Sequence, residues 1–166
     1  MSPAIGSVHV GGALVWRACR FDALPPAEVD RIYAARQTVF AIEQRCVYLD
    51  ADGYDERAYH LAAWAPGERL PLGYARLLDP GTKYVEPSMG RVLTVGRGRG
   101  TGLGREVVRR MLALGLEAWP GMGNRISAQT RLERFYAGFG FEVVGVPYLE
   151  DGIPHTEMLL RGSGVG

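Results

Sequence analysis

Apolar residues along the chain recur with two different periods, and the alternation of these periods predicts an ordered series of strands and helices. Short apolar runs, which are typical of buried strands, occupy positions 58–64, 70–78 and 89–95. The first two runs are separated by the turn Ala65-Pro66-Gly67-Glu68, which indicates an antiparallel hairpin. An earlier strand is predicted within positions 10–20, where apolar and aromatic residues also cluster.

In three other segments the apolar residues recur every three or four positions, which is the period of an amphipathic helix. The first follows Pro25-Pro26, the second follows a glycine-rich segment at 96–104, and the third is short. In the first, the Arg36 stem is expected at the edge of the apolar face. The repeating positions are Val29, Ile32, Tyr33, Arg36 and Phe40; Leu103, Val107, Met111, Leu114 and Ala118; and Leu132, Phe135, Tyr136 and Phe139.

Further strands are predicted at 126–129, 141–146 and 155–160, so hairpins at the start give way to alternating strands and helices. A strand, a helix and a strand in succession predict a parallel pair with a right-handed crossover. These elements predict one α/β domain at 13–162, preceded by a flexible arm at 1–12 and followed by a tail at 163–166.

The composition is that of an ordinary globular domain, with 166 residues, 47% apolar residues and 22% charged residues. The net charge of +1 gives no argument for a nucleic acid partner. Two cysteines are too few for a disulfide framework, and no apolar run is long enough for a membrane span. We therefore expect a cytoplasmic protein that binds neither membrane nor nucleic acid.

The acidic segment 50–56 has a superficial similarity to a calcium-binding loop. Its glycine, Gly53, comes too early in the loop, and the closing glutamate is missing. The sequence therefore predicts a solvated loop with no metal.

The segment Arg97-Gly98-Arg99-Gly100-Thr101-Gly102-Leu103-Gly104-Arg105 lies between a predicted strand and a predicted helix. A glycine-rich turn at a helix start exposes backbone N–H groups where the helix dipole favours negative charge, so this segment is a candidate phosphate cradle. The segment does not match the dinucleotide-binding fingerprint in either register. It does not match the P-loop either, because that motif needs a lysine and the only lysine of the chain is Lys83. The alternative is a glycine-rich turn beside an exposed basic face.

The spacing Arg99-x-x-Gly102-x-Gly104 resembles the pyrophosphate-binding signature of GNAT acyltransferases. A second segment, 128–141, resembles the later signature of that family, in which a short strand precedes a helix with F-Y-x-x-F-G-F. The segments 39–48, 52–60 and 150–158 are similar to an ElaA-like subgroup of the family, in the right order. The resemblance covers roughly residues 16–160.

The resemblance implies a GNAT-type mixed sheet of about six to seven strands, with a central parallel pair that splays apart and flanking helices. Acetyl-CoA would lie in that gap as a co-substrate, with its pantetheine arm on the backbone of the first splayed strand and its pyrophosphate on the glycine-rich turn. The positions implied for its binding are Leu93, Thr94, Val95, Arg97, Arg99, Gly100, Thr101, Gly102, Leu103, Gly104, Arg105 and Gln129.

The implied reaction is direct attack of a primary amine on the thioester, with a backbone N–H near Val95 polarising the carbonyl and Tyr136 serving the leaving thiolate. Candidates for the base are Glu43, Glu150, His60 and His155. The acceptor would be a small-molecule or peptide amine, and a homodimer is possible. An alternative function is an acyl-CoA-binding sensor or partner module without turnover.

Overall fold

The computed structural model describes residues 14–163, so the predicted arm at 1–12 lies outside the described residues. Within residues 14–163, eight strands and three α-helices follow one another, in the order that the apolar pattern predicts. Their bounds are β1 (Val15–Arg20), α1 (Pro26–Arg36), β2 (Ala58–Trp64), β3 (Gly73–Leu78), β4 (Ser88–Thr94), α2 (Leu103–Ala118), β5 (Asn124–Gln129), α3 (Glu133–Ala137), β6 (Glu142–Val143), β7 (Tyr148–Glu150) and β8 (Ile153–Leu160).

The strands form two four-stranded sheets whose hydrogen-bonded pairs are all antiparallel. The first sheet has the order β1-β2-β3-β4, and it contains the predicted hairpin of β2 and β3. In the second sheet β8 is central, with β5 along one edge and the short strands β6 and β7 along the other. The predicted α/β fold is confirmed, with one short strand, β7, beyond those that the sequence pattern indicates.

Helix α2 packs on the first sheet through its apolar face, where Val107 and Met111 are fully buried. Gly73 of β3 permits this close approach, because a Cβ there would lie only 2.8 Å from a methyl carbon of Val107. The start of α2 is thereby fixed beside the end of β4. This packing positions the glycine-rich turn that connects the two elements.

The first helix differs from its predicted form. Its α-helical part ends at Arg36, and a π-helix continues over Gln37–Glu43. In a π-helix each N–H bonds to the carbonyl five residues earlier, as the N–H of Gln44 does to Val39 O at 3.0 Å. The π-helix carries Phe40, and Gln44 directly after it, to the region between the two sheets.

Candidate active site

Strands β4 and β5 start side by side and then separate. The N–H of Arg125 donates to Pro87 O at 3.0 Å, and Asn124 Oδ1 accepts from the N–H of Met89 at 3.2 Å. Beyond these bonds, β4 and β5 belong to different sheets in the described chain. Residues further along both strands, such as Val92 and Gln129, line a shared cavity. The two strands therefore run in the same direction and splay apart, as predicted.

At the end of β4, the main-chain groups of successive residues point alternately toward β3 and into the gap between β4 and β5. The N–H of Val95 donates to Leu72 O at 2.9 Å, and its carbonyl accepts from the N–H of Gly98 at 3.0 Å. Val95 thus has no free main-chain donor, so the expected oxyanion contact cannot come from its N–H. Because successive residues of a strand point to opposite sides, the amides of Thr94 and Val92 face the gap instead.

The glycine-rich turn ends at Gly102, which caps α2 with a left-handed φ of +85°. No heavy atom would lie within 4 Å of a Cβ at Gly100 or Gly102, so the space above both residues is open. The N–H groups of the first turn of α2 have no carbonyl partner within the helix, and they point toward this space. We call the turn and these amides, residues 96–105, the phosphate cradle.

The three arginines of the phosphate cradle have different partners. Arg97 pairs with Glu68 at 2.7 Å, and Arg99 pairs with Glu43 while its Nε donates to Thr94 O at 3.1 Å. Arg105 lies over the rings of Phe135 and Phe139, with 5.5 and 5.8 Å to their centroids. Arg105 therefore joins the start of α2 to the aromatic segment around α3.

A cavity of about 470 Å³ lies between the two sheets, next to the splayed strands. Four of the residues that the sequence places at the site line it: Gln129, Tyr136, Glu150 and His155. Glu43 and His60 are not among its lining residues, so the structure separates the four candidate bases into two groups.

Tyr136 lies in α3 and is 8% exposed. Its ring packs edge-on against Phe135 and Phe141, at 5.1 and 5.9 Å between centroids. Burial raises the pKa of Tyr136 to about 12. The hydroxyl therefore keeps its proton at neutral pH and is able to donate a hydrogen bond into the cavity.

His155 and Glu150 reach the cavity from the hairpin of β7 and β8. The turn of this hairpin is Asp151-Gly152, whose φ angles of +51° and +76° fit the tight turn that an Asp-Gly pair favours. His155 Nε2 lies 3.6 Å from Glu150 Oε2, and Ser127 Oγ donates to the same oxygen at 2.9 Å. His155 Nδ1 lies 2.8 Å from Ile153 O.

The other two candidate bases have structural partners. His60 is 2% exposed and bonds through both ring nitrogens, to Tyr74 Oη at 2.8 Å and to Asp55 O at 2.9 Å. Burial lowers the pKa of His60 and favours its neutral form. Glu43 is partly exposed at the end of the π-helix, where Arg99 binds its carboxylate.

The acidic segment is not the solvated loop that its composition predicts. Its aspartates are held by arginines that are remote in the sequence, and Asp55 is only 4% exposed. Ion pairs of 2.7 to 3.2 Å connect the members of this arginine–aspartate cluster, which are Arg36, Arg76, Arg91, Asp50, Asp52 and Asp55.

The cluster also corrects the expected place of Arg36, which is fully buried rather than at the edge of its helix. Arg76 and Arg91 line the cavity, so the cluster forms part of its wall. One signal in the sequence points to it: Arg36 belongs to an apolar helical repeat, Arg76 lies within an apolar strand, and an acidic segment lies between them.

Within residues 14–163, no group of three or more metal-ligating side chains is arranged to hold a metal ion. No helix in the same range is long and apolar enough to cross a bilayer.

Comparison with known proteins places the chain in a family. The family model of an acetyltransferase (GNAT) domain matches residues 36–161. The UPF0039 protein sll0451 of Synechocystis is 44% identical over 88% of this chain and 94% of its own length. The chain belongs to the GNAT acetyltransferase family.

Two further relatives agree with this membership. Protein ElaA of Escherichia coli is 32% identical over 86% of this chain and 94% of its own. The crystal structure of an acyl-CoA N-acyltransferase from Pseudomonas aeruginosa is 35% identical, with a TM-score of 0.84 over 89% of this chain and 99% of that one. This GNAT protein therefore has the architecture of an acyl-CoA N-acyltransferase, whose co-substrate is a CoA derivative and whose acceptor is an amine.

Proposed function

We propose that this GNAT protein transfers an acetyl group from acetyl-CoA to a primary amine by direct attack. The observation that carries the proposal is the gap between β4 and β5, where Val92 of β4 lines the same cavity as Tyr136 and His155. In the reaction, the amine nitrogen bonds to the carbonyl carbon, the carbon–sulfur bond breaks, and the thiolate takes up a proton.

The phosphate cradle fits the donor's diphosphate. Backbone amides at the start of α2 face open space, and the helix dipole adds favourable charge there. Arg97, Arg99 and Arg105 lie around this space and would bind phosphate oxygens as charge-assisted donors. Thr94 would bind the pantetheine arm through its main-chain N–H, since its carbonyl accepts from Arg99. The amide of Leu93 faces β3, so in this assignment Leu93 acts only as part of β4 and does not bind the donor through its amide.

The carbonyl oxygen of the donor needs a hydrogen-bond donor as it becomes negatively charged. We assign this role to the N–H of Val92, because it faces the gap and Val92 lines the cavity. Tyr136 would serve the departing sulfur through its hydroxyl, which is protonated at neutral pH and belongs to a residue that lines the cavity.

The amine must lose a proton before or during attack, and we assign the acceptance of this proton to His155. The carbonyl of Ile153 can only accept a hydrogen bond, so His155 Nδ1 carries the proton of the neutral ring. Nε2 is then the free base, and the Glu150 carboxylate beside it would stabilise the imidazolium that forms. Glu43, which lies outside the cavity lining, would instead pair with Arg99 until the donor binds.

The acceptor in this proposal is a small-molecule or peptide amine, because the cavity is open to solvent beside Leu49 and Tyr54. Cys19 and Cys46 are both free thiols, which supports a reducing compartment such as the cytoplasm.

The proposal is tested by CoA release from acetyl-CoA with a panel of primary amines, and with the corresponding alcohols as matched controls. We expect release with at least one amine, an N-acetylated product by mass spectrometry, and no release with its alcohol. A protein that binds acetyl-CoA in calorimetry but releases no CoA with any amine would be a sensor, and the proposed activity would be wrong.

A further inference from the structure

Strand β4 contains a β-bulge in the middle of the candidate site. Arg91 and Val92 together oppose Ala75 of β3, and the register of the pairing shifts there. Arg91 has a φ of +54°, in the left-handed region that residues with a Cβ rarely adopt. A strained conformation of this kind persists only where surrounding contacts hold it.

The side chain of Arg91 supplies such contacts. Its Nε donates to Asp50 Oδ1 at 2.7 Å, and one terminal nitrogen lies 3.2 Å from both Asp50 O and Asp52 Oδ2. Its guanidinium also lies over the ring of Tyr48, 5.3 Å from the centroid. All of these partners belong to the segment 48–52, which passes beside the cavity.

The two aspartates are fixed in turn by buried arginines. Arg36 Nε donates to Asp50 Oδ2 at 2.7 Å, and the terminal nitrogens of Arg76 donate to both oxygens of Asp52 at 2.7 Å. Arg36 and Arg76 are 0% and 3% exposed, so the carboxylates that bind Arg91 have little freedom to move. The cluster is a rigid anchor for the bulge.

We infer that Arg91 is a positioning residue: its bonds to Asp50 and Asp52 hold the bulge that directs the N–H of Val92 into the gap. The inference rests on the proposed function, in which that N–H binds the carbonyl oxygen of the acyl donor. An unstrained residue 91 would return to negative φ, and the amide plane that follows it would rotate.

Two other roles for Arg91 give different expectations. If its guanidinium binds the acceptor directly, every variant without the side chain loses activity equally. If it only stabilises the fold, its variants melt earlier but keep their kcat. Glycine separates the positioning role from both, because it adopts positive φ without strain and has no side chain.

The experiment compares Arg91→Ala with Arg91→Gly on one proven amine. We expect kcat of the alanine variant to fall about tenfold to a hundredfold, because an oxyanion donor is typically worth at least that much. We expect the glycine variant to keep at least about five times the kcat of the alanine variant, because its backbone tolerates the bulge. The KM for acetyl-CoA should stay within about threefold in both, since the phosphate cradle is unchanged.

Arg45 provides a matched control, because its φ is also +54° and it is not among the residues that line the cavity. Arg45→Ala and Arg45→Gly should alter the melting temperature without separating in kcat. Equal kcat losses in Arg91→Ala and Arg91→Gly, or an unchanged kcat in Arg91→Ala, would overturn the positioning role.

A second readout needs no acceptor. In amide NMR spectra, the Val92 resonance should shift differently with acetyl-CoA than with S-ethyl-CoA, which lacks the carbonyl oxygen. This difference should be reduced in Arg91→Ala and retained in Arg91→Gly. If acetyl-CoA binds but Val92 responds equally to both ligands, the inference is wrong while the acyltransferase proposal stands; if neither ligand binds, both are wrong.

Discussion

The phosphate cradle and the arginine–aspartate cluster are built from different parts of the chain and by different chemistry. The cradle is one continuous segment whose working groups are backbone amides, freed by glycines such as Gly102. The cluster joins side chains from α1, β3, β4 and the acidic segment, and its charges are paired with one another. The cradle is therefore open toward a ligand, whereas the cluster is closed and serves the fold around the cavity.

This difference predicts that damage to the cluster lowers stability, whereas damage to the cradle lowers affinity for the donor. Variants in the cluster should keep their affinity for the donor, and variants in the cradle should lose that affinity while they remain folded. Three changes separate the regions, and a fourth examines the contact between the cradle and the π-helix.

The largest effect on stability is expected from Arg36→Met. Removing one partner of a buried ion pair leaves Asp50 and Asp55 short of a cation, at a typical cost of about 3–5 kcal/mol in the free energy of unfolding. Urea denaturation measures this cost. Arg109→Met is the control, because Arg109 forms an exposed pair with Glu106 and such pairs contribute about 1 kcal/mol or less. Equal losses in the two variants would contradict the structural role of the cluster.

Gly102→Val should chiefly reduce the affinity for acetyl-CoA. Its side chain would enter the open space of the phosphate cradle and strain a φ of +85°. Loss of one or two charge-assisted hydrogen bonds weakens binding by about tenfold to a hundredfold, which calorimetry measures. Gly67→Val imposes similar strain in the β2–β3 turn, at a φ of +78°, and should leave the affinity unchanged. An unchanged affinity in folded Gly102→Val would remove the cradle from donor binding.

Acid should weaken the cluster before it affects the cradle. Burial alone would raise the pKa of Asp52, but hydrogen bonds from Arg76 lower it to about 2. Because this pKa lies below its ordinary value near 4, Asp52 stabilises the protein above about pH 4. This contribution is lost as the pH falls toward 2. Asp52→Asn should be less stable at pH 6 and show a shallower decline between pH 5 and 3; a parallel decline would show that Asp52 does not contribute.

The smallest effect is expected for Glu43→Gln, which breaks the contact between the π-helix and Arg99. Without the carboxylate, Arg99 is free to bind phosphate, so the affinity for acetyl-CoA should rise by about fivefold at most, as for an exposed ion pair. If Glu43 were the base, kcat would instead fall about a hundredfold or more. Steady-state kinetics together with calorimetry distinguishes these outcomes.

The same difference explains how much of the site could be predicted from the sequence. The cradle is one contiguous segment, and its glycines are needed for the local backbone conformation. Its place before α2 is therefore predictable from the sequence. The cluster depends on pairs far apart in the chain: Arg36 and Asp50 are separated by 14 residues, and Arg91 and Asp50 by 41. Apolar periodicity places Arg36 at the edge of the apolar face of its helix and does not identify its partner.

Two backbone features were also beyond the sequence pattern. The π-helix adds residues to a turn without changing the apolar character of the segment, so it resembles a longer α-helix in the sequence. The bulge at Arg91 gives no signal, because arginine is not a residue that favours positive φ. Consequently the sequence does not single out Val92, and the family resemblance implies an oxyanion contact near Val95 instead.

The most direct test of the proposed acyl transfer is Tyr136→Phe, assayed with acetyl-CoA and a proven amine. The change removes one hydroxyl and keeps the packing against Phe135 and Phe141, so the melting temperature should change little. If Tyr136 serves the leaving thiolate, kcat should fall about a hundredfold to ten-thousandfold while the affinity for acetyl-CoA persists. Tyr59→Phe, outside the cavity lining, should keep the wild-type kcat. A wild-type kcat in Tyr136→Phe would contradict the account.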